Sequence, residues 1–125
     1  MLPVPTMDLQ EAIEECLALP GSEETTPFGP EVLVYKVRGK MFALAALEDE
    51  IGRLNLKCDP ERALDLRDQH EAVLPGYHMN KKHWNTVVLD GSLPTPLVQE
   101  LIRESYDLVV AGLPQRERST LQGDG

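Results

Sequence analysis

The chemistry-bearing side chains of this sequence are concentrated between Tyr77 and Asn85. There the run Tyr77-His78-Met79-Asn80-Lys81-Lys82-His83-Trp84-Asn85 holds two lysines, two histidines, two amides and two aromatics. Ammonium groups suit phosphate oxygens as point charges, amides and imidazoles add hydrogen bonds, and aromatic rings pack on sugars or bases. The same composition also fits a polar hairpin tip with Trp84 packed on a sheet. A second basic group, Lys36, Arg38 and Lys40, brackets Gly39. It reads either as a basic wing or as a sheet edge that lysines protect from aggregation.

Other chemistries lack their parts. His70, His78 and His83 share no metal-ligand spacing, and no carboxylate lies within the Tyr77–Asn85 run to complete a site. No Cys-x-x-Cys pair is present, and no metal and no cofactor is expected. Cys16 falls on an apolar helix stripe, as a small buried hydrophobe would. Cys58 has Lys57 beside it but no other thiolate-stabilising neighbour in sequence. Ser22, Ser92, Ser105 and Ser119 lack a nucleophile-elbow context, and no glycine-rich loop leads into a helix. The expectation is a binding module rather than an enzyme.

Charge narrows the partners. The chain has 125 residues and a net charge of −9. Residues 1–31 hold seven acids and no Lys or Arg, whereas residues 32–47 hold Lys36, Arg38 and Lys40 and no acid. A polyanion is repelled by the whole and can be attracted only by a local basic patch. The first fifteen residues contain acids and no base, unlike a secretory signal, and no apolar run approaches a membrane span. A cytoplasmic, membrane-free monomer is expected, with double-stranded DNA or a protein as partner.

The elements that must position these residues follow from periodicity. Asp8 and Glu11 form a capping box ahead of Leu9, Ala12, Ile13, Cys16 and Leu17, a stripe that predicts a buried helix face ending at Pro20-Gly21. Its solvent side shows Asp8, Glu11, Glu14 and Glu15, which read as a solvated face or as a surface for a cation or basic partner. Val32–Val37 and Lys40–Leu47 predict a hairpin about Arg38-Gly39. In residues 53–57, Leu54 and Leu56 alternate with outward Arg53, Asn55 and Lys57. Asp59-Pro60 starts a second helix, running to about His70, with Ala63, Leu64 and Leu66 apolar. A short strand near Val73, a polar turn at Asn80-Lys81 and a strand through Asn85–Leu89 come next. Thr95-Pro96 opens the last predicted helix, with Leu97, Val98, Leu101, Ile102 and Val109 on one side and Gly112 and Pro114 ending it. Residues 1–114 form one domain, and residues 115–125, lacking an apolar period, are expected to be disordered. The order predicts an α+β fold: an antiparallel sheet with N- and C-terminal helices packed on one face.

The strings CLALPG (from Cys16), PFG (from Pro27), KVRGKMFAL (from Lys36), LKCDPERA (from Leu56), PGYHMNKKHWNTV (from Pro75) and YDLVVAGLP (from Tyr106) resemble the MmcQ/YjbR family. They span roughly Leu9 to Pro114 in the family's order, and the long Pro75 string is the most specific. The resemblance implies a CyaY-like fold and DNA contact through two hairpin wings. Carried over, the candidate residues are Lys36, Arg38 and Lys40 on one wing and His78, Asn80, Lys81, Lys82 and His83 on the other. The contact implied is weak and largely indifferent to sequence. The same fold type also implies a frataxin-like alternative, in which Asp8, Glu11, Glu14 and Glu15 of the first helix bind iron or a protein partner.

Overall fold

A computed structural model of the chain describes residues 4–48, 50–76 and 79–123. Six antiparallel strands form one sheet: β1 (Ser22–Thr25), β2 (Val32–Val37), β3 (Lys40–Ala46), β4 (Arg53–Lys57), β5 (Val73–Pro75) and β6 (Trp84–Val88). Their spatial order is β1-β2-β3-β4-β6-β5. The helices are α1 (Leu9–Ala18), α2 (Pro60–Gln69), α3 (Thr95–Ala111) and α4 (Gln115–Gly123). Ala12, Ile13 and Cys16 of α1, Ala63 and Leu66 of α2 and a stripe of α3 join Tyr35, Phe42, Leu54, Leu56 and Val87 of the sheet in one core. The helices therefore cover one face of the sheet, as the alternation predicts, and leave the other open.

Local chemistry explains most boundaries. Asp8 and Glu11 form the expected capping box on α1, and the Asp59 side chain caps α2 ahead of Pro60. The β2–β3 hairpin turns on two residues, with φ of 50° at Arg38 and 80° at Gly39. Two positive values suit a type I′ turn, whose twist matches that of the strands. Between Tyr35 and Lys36 the register shifts, so that Tyr35 opposes Ala43 while Lys36 opposes Met41. Phe42 is thus a bulged extra residue, and it and Ala43 both turn into the core.

Ser105, fully buried on α3, ties the helix layer to the sheet. Its hydroxyl donates to the Phe42 carbonyl at 2.6 Å and accepts from the Lys57 amide at 2.8 Å. Those two strand groups lie one residue beyond Ala43 and Leu56, where the β3–β4 ladder stops. The side chain satisfies backbone groups that the ladder leaves behind.

Three expectations are corrected. Residues 115–123 form α4 rather than a disordered tail, because Leu121, 6% exposed, joins the core against Gly21. One apolar anchor is enough where a partner surface waits, although it makes no sequence period. Leu17 is 46% exposed, since it lies roughly 100° around the helix from Cys16 and past the edge of the stripe. Leu19, just after the helix, packs on the core instead. Leu64 is 62% exposed for the same reason, Ala63 and Leu66 being the buried pair of α2. The edge strand β1 also escapes the sequence pattern: Ser-Glu-Glu-Thr has no apolar alternation, and its ladder with β2 makes it a strand.

Candidate nucleic-acid interface

The two basic segments lie at the same end of the sheet. Val37 pairs with Lys40 at the tip of the β2–β3 hairpin, and the antiparallel ladders bring Lys57 opposite Trp84 at that end. The β5–β6 connection leaves there too, since Pro75 pairs with Asn85. Two to three strand spacings separate the hairpin from β6, or about 10–14 Å. Lys57 ends the strand between them, a cation that the sequence shows as outward-facing but that lies outside both basic segments.

Residues 79–83 of this connection form a hydrogen-bonded turn. Asn80 accepts on its backbone carbonyl from the amides of His83 and Trp84, at 3.0 and 2.9 Å. Its side-chain oxygen accepts from the Lys82 amide at 3.0 Å, a local bond characteristic of asparagine turns. Asn80 is thus a scaffold for the loop, which leaves Lys81 and Lys82 exposed. The His83 carbonyl accepts from the Cys58 amide at 2.8 Å and fastens the turn to the end of β4. Arg67 of α2 donates through Nε to Asn85 Oδ1 at 2.7 Å and through its guanidinium to the Lys81 carbonyl. His78, like Tyr77, lies outside the described residues.

The other wing is divided between two faces. Alternation puts Lys36 on the open face, directly across the ladder from Glu23, whose charge offsets part of its own. The bulge places Lys40 with Val37 on the helix side, and Arg38 lies close enough to Tyr106 to favour its phenolate. Burial outweighs that influence, and the Tyr106 hydroxyl is pushed up while it donates to the Pro20 carbonyl. Tyr106 also meets Phe42 edge-on, 5.4 Å between centroids, and the Arg103 guanidinium lies 5.8 Å from its ring centre. Docking of α4 beside Gly21 brings Leu121 to this end of the sheet. The Arg118 Nε is buried with no hydrogen-bond partner among the described residues.

The acidic helix does not lie between these groups and the open face, because α1 packs on the covered side. Its acids are partly engaged: Asp8 and Glu11 cap the helix, and Glu15 accepts from the Gln99 amide at 2.7 Å. Among the described residues, no group of three or more His, Cys, Asp or Glu side chains is placed to hold a metal ion. No helix among them is long and apolar enough to cross a membrane. Both thiols are buried and raised, Cys16 to about 12 by desolvation and then Glu15, Cys58 by desolvation and then Glu104. Neither is poised as a nucleophile.

The YjbR family model matches residues 17–108, which include both basic segments. The Escherichia coli O157:H7 protein YbdF is 40% identical over 106 residues, covering 85% of this chain and 87% of that one. YjbR of Escherichia coli K12 is 37% identical over 115 residues, covering 92% and 98%. Among solved structures, the Deinococcus radiodurans protein DR2400 superposes with a TM-score of 0.87 at 44% identity, covering 97% of this chain and 92% of that one. A Pseudomonas syringae protein gives 0.72 at 28% identity, covering 82% and 98%. The matches run along nearly the whole chain, which belongs to the YjbR family.

Proposed function

We propose that the basic end of the sheet contacts the phosphates of double-stranded DNA, weakly and with little regard to sequence. The observation that carries this is the common placement of the two basic segments at one sheet end, with Lys57 between them. Their separation of about 10–14 Å is comparable with the roughly 12 Å width of the DNA major groove. Lysines on the Asn80 turn would meet one phosphate strand and the β2–β3 hairpin the other. The lysine side chains are point charges rather than paired readers of base edges, so they position a duplex without selecting its sequence. The net charge of −9 opposes the approach and keeps affinity low.

Fluorescence anisotropy of a labelled duplex tests the reading. If about four phosphates are neutralised, log affinity falls with log salt at a slope near −3.6. The double variant Lys81→Glu, Lys82→Glu is expected to abolish the signal at low salt, and Lys57→Glu to weaken it. Absence of binding at low salt, or binding indifferent to the double variant, refutes the proposal.

A further inference from the structure

The open face of the sheet is apolar where a solvated face would alternate to polar residues. Phe28, Val32, Leu44, Ala46, Leu74 and Met79 line a groove of about 530 Å³ that crosses the strands. Phe28 stands at one side, 68% exposed. Midway along, the floor becomes polar, with Arg53, Asn55 and Thr86. Asn55 pairs across the ladders with Leu44 on one side and Thr86 on the other. The Thr86 hydroxyl donates to Asn55 Oδ1 at 2.6 Å. That bond occupies the amide's acceptor and leaves its N–H donors, which meet no acceptor among the described residues.

By strand register Lys36, Arg53 and Lys57 face the same side as this groove, and so does Glu23. A groove of this volume, mostly apolar with a few convergent polar groups, is the usual form of a small-molecule site. The Asn55 N–H donors and the Arg53 guanidinium at its centre select an anion; the apolar flanks select a ligand with an apolar body.

We propose that the groove binds a small organic carboxylate with an aromatic or aliphatic body. The body lies on Phe28, Val32 and Leu44, and the carboxylate accepts from the Asn55 amide and the Arg53 guanidinium. This site is separate from the Lys81–Lys82 turn and does not depend on DNA binding.

The test is an amide-resolved NMR titration of the full chain with naphthoate and, in parallel, neutral naphthylmethanol. Naphthoate is expected to shift Leu44, Asn55 and Thr86 saturably, and the alcohol to bind about tenfold or more weakly, the loss of a charge-assisted bond. Arg53→Gln, at an exposed position that leaves the core intact, is expected to weaken naphthoate by a similar factor. The Lys81→Glu, Lys82→Glu protein should titrate unchanged, so that failure of the DNA reading and failure of this one are separable. Shifts confined to residues 80–83, no saturation, or equal affinity for acid, alcohol and Arg53→Gln overturn the proposal.

Discussion

Cys16 is fully buried beneath α1, and the cost of burying a thiolate there, with Glu15 adjacent, pushes its thiol up to about 12. Tyr35 is raised too, first by burial and then by its hydroxyl bond to Glu24 at 2.7 Å. In the unfolded chain the thiol returns to its ordinary value of 9.0. A group raised on folding contributes its stability in full below the unfolded value and loses it as pH climbs toward the folded one. Urea-unfolding stability is therefore expected to decline between about pH 9 and pH 12. In Cys16→Ala the decline should be shallower, with Tyr35 supplying part of what remains. An identical slope in the variant would show that the thiol is not sealed as described. Neighbouring Ile13 and Ala12 make the same burial legible in the sequence, because the 3.6-residue period needs no knowledge of what lies opposite.

Among the elements, α4 is the one whose contribution is most easily isolated. Leu121 is its buried anchor, and a Cβ built at Gly21 would lie 2.5 Å from the Leu121 side chain, so the loop before β1 is shaped to receive it. Leu121→Ala is expected to lower stability by about 2–3 kcal/mol, the usual cost of emptying a well-packed leucine site. The midpoint of urea unfolding reads this directly; a variant as stable as the parent would mean that α4 is not docked in solution. The helix is invisible in the sequence because a single leucine in Arg-Glu-Arg-Ser-Thr-Leu has no periodicity to detect. Strand β1 is invisible for a related reason: its two glutamates carry no strand signal, and only hydrogen bonding to β2 defines it. By contrast α1, the β2–β3 hairpin, β4 and α3 announce themselves through caps, a tight turn and alternation that agree with their tertiary surroundings. Of the basic groups, the sequence locates both segments but not their common end, which the strand order β3-β4-β6 creates. Nor does it show that a bulge sends Lys36 and Lys40 to opposite faces.

At the scale of the molecule, a locally basic end on a chain of charge −9 gives two electrostatic ranges. The patch acts over contact distances, while the net charge acts over the Debye length, about 30 Å at 0.01 M salt and about 10 Å at 0.1 M. For the proposed duplex contact, lowering salt therefore strengthens the local attraction and also exposes the duplex to the distant acids. The plot of log affinity against log salt is expected to flatten below about 0.01 M rather than stay linear. Neutralising acids on α1, as in Glu11→Gln with Glu14→Gln, should move that flattening to lower salt without touching the basic end. A strictly linear plot in both proteins would show that the net charge is not felt. Geometry, too, is set from a distance. Where β3 and β4 cease to pair, the Ser105 hydroxyl bridges the two strands, a link contributed by a helix on the covered side of the sheet. The hairpin bearing Lys40 and the strand ending at Lys57 both continue past that point without pairing to each other. One buried oxygen thus joins two strands and a helix, so Ser105→Ala would leave the Phe42 carbonyl and the Lys57 amide unpaired at the sheet end that carries Lys40 and Lys57, while leaving every charge in place.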